Sequence, residues 1–129
     1  NKLLNRFLWA VNRKSCISLV EINGGNLRNA IPREAYAVIG VDKNFKEELT
    51  VMLNKYIADI SVEYAATEPN FKMTIDTMST PSNVIESSVT NRLLNAVYAC
   101  PNGIIRMSDD IPGTRRDLYQ LGLYKNARR

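Results

Sequence analysis

The chain has no histidine among its 129 residues. Imidazole is a favoured ligand of zinc, and a zinc ion that activates water needs a well-fixed open coordination position, so this absence argues against a catalytic zinc centre built from the chain itself. The carboxylates offer no replacement. Glu47 with Glu48 and Asp109 with Asp110 are adjacent pairs that lack further ligands nearby, and we expect them to be solvated.

Cysteine is almost as scarce, and long apolar runs are missing. Cys16 and Cys100 are too few and too far apart to form a disulfide framework or a metal-spaced cluster. We expect both to be buried free thiols, since a free cysteine packs as a small hydrophobe. No apolar run is long enough to cross a membrane, and the first residues show no signal-peptide pattern, so we expect no membrane partner.

Charge is close to balanced except at one end. The net charge of +4 arises within residues 115–129, which contain five basic residues and one acidic residue. The remaining body has twelve basic and twelve acidic residues and is neutral. Nucleic-acid binding would require a basic face with exposed aromatic residues on the folded body, so we expect no nucleic-acid partner.

Hydrophobic periodicity predicts an α+β fold. Helical spacing of apolar residues marks the first segment, from Leu3 to Val11, and residues 44–66, where Asp42 is a suitable N-cap. A third helix is predicted to open at residues 80–82, with Pro81 in its first turn, and to end at 101–103. Strands are predicted over residues 16–22, 36–41 and 71–76, with a final strand after residue 103. The order indicates an antiparallel sheet with helices packed on one face.

Polar residues are concentrated between the first two predicted strands. Residues 24–35 read GGNLRNAIPREA, in which Gly24, Gly25 and Pro32 interrupt regular structure. We interpret this segment as a ligand loop. From the residues alone, Asn29 could equally be a turn-forming asparagine that bonds its own backbone.

This loop resembles the G-G-x-L-R-N-A-I-P-R-E-A element in the lid domain of the aminoacyl-histidine dipeptidases (Xaa-His dipeptidases, peptidase D) of the M20 metallopeptidases. Residues 1–8 and 101–108 are similar to two further elements of that family, in the same order. The resemblance implies a cytoplasmic protein in which residues 1–113 form a partial lid domain of the dimerisation type, with a ferredoxin-like fold.

The resemblance also implies a function. In the family, two zinc ions are held by a separate catalytic domain, so this chain would bind no metal and would be inactive alone, whereas the parent enzyme would hydrolyse Xaa-His dipeptides. Asn29 corresponds to the asparagine that reaches the substrate, and an amide suits this role because it both donates and accepts. Arg28 and Arg33 could pair with a carboxylate. The implied partners are the dipeptide substrate and the M20 catalytic domain, and the resemblance also allows a homodimer.

The resemblance stops at residue 113. The family continues with a strand that begins V-E-T-S-x-N-L, whereas residues 115–129 differ. One choice of synonymous codons for these residues, read one base later, encodes V-E-T-S-T-N-L-A-S-I-K-M-Q-E, so we hypothesise that residues 114–129 are a non-family tail produced by a frameshift. Uncovered sheet edges are then expected to favour dimerisation or aggregation, and Leu118, Leu121 and Leu123 could cover part of the gap as a helix or a strand.

Two other functions remain open. The chain could be a stand-alone ferredoxin-like module that binds a small ligand or a protein, which would require a complete gene and a stable last strand. A nucleic-acid binder that uses the basic tail is the weaker alternative, and it predicts salt-dependent binding that is lost without residues 115–129.

Overall fold

The computed structural model describes residues 1–25, 32–79 and 81–119, with the side chains of all but 116–118. The described residues form three helices and four strands, which confirms the predicted α+β class. In chain order the elements are α1 (Lys2–Lys14), β1 (Ser18–Asn23), β2 (Tyr36–Gly40), a 3₁₀ turn (Lys43–Phe45), α2 (Lys46–Glu63), α3 (Ser87–Ala99), β3 (Gly103–Met107) and β4 (Arg115–Tyr119).

The strands of the described part form two antiparallel ribbons, β1 with β2 and β3 with β4, where the sequence had suggested one sheet. In the first ribbon the register shifts between Leu19 and Glu21, which places a bulge at Val20. The outward-facing backbone of β1 is used nearby, because the Leu19 carbonyl accepts a hydrogen bond from the Ile85 amide at 2.7 Å. The chain that leads into α3 is therefore docked along β1.

The core lies between α1, the first ribbon and the other two helices. Helix α1 places a single apolar stripe inward, as its spacing predicted, and side chains of β1 and β2 pack against the same cluster. The buried members of this cluster are Phe7, Leu8, Val11, Ile17, Phe45, Leu49, Leu53 and Leu94.

A polar seam joins α1 to α3 beside this core. Three side chains of α1, spaced so that they share one face, donate hydrogen bonds to α3. They are Asn5 to the Leu94 carbonyl at 3.1 Å, Trp9 to Asn95 Oδ1 at 2.8 Å and Asn12 to Asn91 Oδ1 at 2.9 Å. The Trp9 ring also stacks on Tyr98, with ring centroids 4.3 Å apart.

Lys2 closes the seam at the end of α3. Its Nζ atom donates to the carbonyl oxygens of Val97, Tyr98 and Cys100, at 3.0, 2.8 and 2.6 Å. The last carbonyls of a helix have no partner within the helix and carry partial negative charge, so an ammonium group satisfies both needs. The start of α1 is thereby fixed to the end of α3.

Two predicted elements are wrong. Residues 71–79 form no strand, although Phe71, Met73 and Ile75 alternate with polar residues; Met73 instead packs against the core and Ile75 is exposed. Helix α3 begins at Ser87, well after Pro81, because the intervening residues run along β1. The cysteines are free, but Cys16 is exposed and Cys100 only half-buried, so the expected burial is also wrong.

The second ribbon carries apolar side chains on its surface. Ile104, Ile105, Met107 and Tyr119 are each about half exposed, and β4 is formed by residues of the segment predicted to lie outside the family pattern. Residues 115–119, which include Leu118, form a strand paired with β3, whereas Leu121 and Leu123 lie outside the described residues. No helix within the described ranges is long and apolar enough to span a membrane.

Candidate functional site

The loop between β1 and β2 is described at both of its ends, and we call these ends the neck: Asn1 together with residues 23–25 and 32. Asn23 is the last residue of β1, and its Oδ1 atom accepts a hydrogen bond from the Gly25 amide at 3.2 Å. This side-chain turn is typical of asparagine before a tight bend. Asn1 contributes from the other side, since its Nδ2 atom donates to the Gly24 carbonyl oxygen at 2.7 Å.

At both glycines of the neck, the space of a Cβ atom is taken by a neighbouring side chain. A Cβ atom at Gly24 would coincide with the side-chain amide of Asn1, and would lie 2.6 Å from Nδ2. A Cβ atom at Gly25 would lie 2.8 Å from the Pro32 Cβ atom, and Gly25 has a φ of +103°, in the region that favours glycine. The two ends of the loop therefore meet in close contact at Gly25 and Pro32.

A hydrogen bond on the surface connects the strands just below the neck. The Tyr36 hydroxyl donates to Glu21 Oε1 at 2.8 Å. Because the neutral phenol donates this bond to a carboxylate, the pKa of Tyr36 is raised above its ordinary value. This pair links β1 to β2 at the point where the loop leaves the ribbon.

The predicted substrate-binding residues Arg28 and Asn29 lie outside the described residues, so their role stays a prediction. Arg33 is described and is exposed at the foot of the loop, beside Pro32. The neck thus fixes where the loop starts and ends.

The residues that are described do not fit a zinc centre. No group of three or more histidine, cysteine, aspartate or glutamate side chains lies close enough to hold a metal ion within residues 1–25, 32–79 and 81–119. Asp109 is paired with Arg106 at 2.5 Å, and the neighbouring donors supply no further ligand.

A concavity of about 390 Å³ lies at the end of the first ribbon opposite the neck. Cys16, Asp42 and Pro81 are among its lining residues. The Asp42 carboxylate already accepts a hydrogen bond from the Asn44 amide at 2.7 Å, as expected of an N-cap. With one thiol and one engaged carboxylate, this concavity offers no catalytic pair.

A comparison with known protein families matches the part of the chain that contains the neck. The model of the M20 family described as the peptidase dimerisation domain matches residues 1–68, which is just over half of the chain and includes α1, the neck and α2. The chain belongs to the M20 peptidase dimerisation-domain family. This confirms the family resemblance found in the loop sequence.

Two relatives of this M20 chain are named as dipeptidases. The cytosol non-specific dipeptidase of Escherichia coli is 33% identical over 123 residues, which cover 95% of this chain and 25% of the relative. The crystal structure of aminoacylhistidine dipeptidase from Vibrio alginolyticus superimposes with a TM-score of 0.89 at 32% identity, and covers 94% of this chain and 25% of that one. The M20 chain therefore spans about a quarter of the length of the relatives that it matches.

Sequence reasoning found the loop of the M20 chain and missed part of its neck. Gly24, Gly25 and Pro32 are local signals of a turn and were recognised. Asn23 could have been found too, because asparagine before two glycines is a common turn sequence. Asn1 could not, since it is 23 residues from Gly24 along the chain and carries no local signal of that contact.

Proposed function

We propose that this chain is a lid segment of a zinc-dependent cytoplasmic dipeptidase that hydrolyses Xaa-His dipeptides, and that the segment has no hydrolytic activity of its own. The observation that carries the proposal is the pair of relatives, both named as dipeptidases, that match 94–95% of this chain. The two names differ in specificity, and the resemblance of the loop to the aminoacyl-histidine dipeptidases favours Xaa-His substrates.

In this proposal the zinc ions are held by the remainder of the protein, and they supply an activated water when bound. The contribution of the chain itself is substrate contact. The Asn29 amide holds a carbonyl or carboxylate group of the dipeptide without adding charge, and Arg28 pairs with a carboxylate. Movement of the lid over the metal site brings Asn29 to the substrate and excludes water.

A second copy of the chain is part of the proposal. The matching family model is described as a dimerisation domain, and the half-exposed apolar residues of the second ribbon leave surface that a larger assembly would cover. Light scattering on the complete protein should therefore give twice the mass of one copy of that complete protein.

Residues 1–113 are proposed to be the lid portion, and residues 114–129 a frameshifted translation of the next lid strand. Sequencing the source gene on both sides of this segment tests the division. A second frame that continues into a domain with histidine, aspartate and glutamate metal ligands supports it. A short gene that ends here with other codons contradicts it and favours a stand-alone binding module.

The substrate role is tested in the complete protein by Asn29→Ala, with Asn26→Ala as a control of the same residue type in the same loop. Loss of a single well-placed donor to the reacting group costs about 100-fold or more in kcat, so we expect a loss of that size for Asn29→Ala and little change for Asn26→Ala. Zinc content should be the same in both variants. Equal losses would contradict a specific contact, and a zinc-loaded protein that cleaves no Xaa-His dipeptide would contradict the proposed activity.

A further inference from the structure

We propose that Asn1 is a positioning residue for the loop, and that its hydrogen bond to the Gly24 carbonyl sets the direction in which the loop leaves β1. The inference rests on the proposed function, in which residues of that loop contact the substrate. It concerns a different residue, on a different element, which neither the family match nor the loop sequence assigns to the site.

The side chain of Asn1 bonds the neck and not its own helix. Asn1 is the N-cap of α1, and its carbonyl accepts the first helical hydrogen bond from the Asn5 amide at 2.9 Å. Asparagine at this position usually bonds its own helix through the side chain. Here the side chain makes no such cap, and its Nδ2 atom instead donates to Gly24 at 2.7 Å.

Asn1 and Gly24 fit closely against each other. Gly24 does not have a positive φ, so its backbone conformation would accept alanine. What excludes a side chain there is the Asn1 amide, which occupies the space of the missing Cβ atom. The glycine therefore serves the contact with Asn1 and not the bend itself, whereas the adjacent Gly25 does have a positive φ.

Asn1 is itself held in place by the contacts of its neighbour in the chain. The next residue, Lys2, donates three hydrogen bonds to the carbonyl end of α3, at 2.6–3.0 Å. The end of α3, the start of α1 and the neck are thus connected through neighbouring residues. Pro32, at the far end of the loop, lies close to Gly25. Both ends of the loop are therefore held near Asn1.

The test uses the complete protein and compares Asn1→Ala with Asn1→Asp. Aspartate keeps the size of the side chain but has no donor for the Gly24 carbonyl. Misplacement of a catalytic contact by about 1 Å can cost 100-fold in rate, so we expect both variants to lose at least tenfold in kcat, with KM changed less than threefold. Asn91→Ala, which removes an exposed hydrogen bond elsewhere on α1 and α3, is the matched control and should retain the wild-type kcat.

Two double variants separate positioning from general destabilisation. If Asn1 acts through Asn29, the Asn1→Ala and Asn29→Ala double variant loses no more activity than Asn29→Ala alone, whereas independent effects would multiply. Gly24→Ala should lower kcat when Asn1 is present and add little to Asn1→Ala, because the alanine then has room. Gly40→Ala, whose Cβ atom would meet Ser18 at an ordinary 3.5 Å, is the control for adding a methyl group to this ribbon.

The outcomes are distinct. Loss of activity in Asn29→Ala together with wild-type kcat in Asn1→Ala overturns the positioning role and leaves the proposed function standing. Multiplying losses in the double variant with Asn29→Ala also overturn it, since they assign Asn1 a separate structural effect. No loss in Asn29→Ala itself removes the proposed substrate contact, and the positioning role with it.

Discussion

Replacing Lys2 with methionine removes the ammonium group from the end of α3 and keeps most of the aliphatic stem. The group donates to three carbonyl oxygens at 2.6–3.0 Å. Hydrogen bonds to a charged group contribute about 1.5–3 kcal/mol, and a cation at a partly buried helix C-terminus contributes up to about 2 kcal/mol. Since these are overlapping descriptions of one contact, we expect Lys2→Met to lower the free energy of unfolding by about 2 kcal/mol.

Trp9 provides the assay. It is the only tryptophan in the sequence, and it stacks on Tyr98 in the same seam between α1 and α3. Urea unfolding followed by its fluorescence should show a midpoint lowered by about 1 M at an m-value near 2 kcal/mol/M. The matched control is Lys55→Met, because Lys55 contacts Asp59 at 2.8 Å with its side chain 75% exposed. Such a surface pair contributes about 0.5 kcal/mol or less. Equal midpoints for the two variants would refute the capping role of Lys2.

Tyr56 and Asn5 give two further predictions. The Tyr56 hydroxyl donates to the Leu3 carbonyl at 2.7 Å, and burial raises the pKa of Tyr56 to about 12. The unfolded state releases this proton at about pH 10. The free energy of unfolding should therefore be unaffected by Tyr56 below about pH 10 and should fall between about pH 10 and 12. Urea titrations at several pH values should show less of this fall in Tyr56→Phe. Asn5 is fully buried, and its Oδ1 atom has no hydrogen-bond partner among the described residues. The free energy of unfolding of Asn5→Leu should therefore stay within about 1 kcal/mol of the wild-type value. Asn5→Asp should lower the free energy of unfolding by about 3 kcal/mol or more. An equal loss for both variants in denaturant titration would contradict this.

Helices with one buried apolar face were predictable from the sequence. The stripe that contains Phe7 and Val11 specifies α1, and Leu49 and Leu53 specify α2, because burial of one face is a property of a single helix. Residues 71–76 have an equally regular alternation and form no strand. A strand also needs a neighbouring edge, and local periodicity does not say whether one is available.

Pro81 shows the same limit at a helix start. Proline is favoured in the first turn of a helix, but it is equally at home in extended chain. The Ile85 amide pairs with Leu19, a residue far away in sequence, and this contact keeps the approach to α3 extended. At the site, Gly24 and Pro32 indicated a turn from the sequence alone. The partner of Gly24 could not be predicted, because it is an asparagine 23 residues earlier. The roles of Arg28 and Asn29 stay predictions.

The polar seam between α1 and α3 also dictates the order in which the molecule can be assembled. Lys2 and its partner Cys100 are 98 residues apart. At typical synthesis rates, the first helix leaves the ribosome about 5–20 s before its main partner exists. Until then, among the elements of the described residues, only β1, β2 and α2 are available to cover its stripe, and contacts of such long sequence separation form slowly because the chain must close a large loop. The packing of α1 against α3 is therefore among the last contacts of these residues to form.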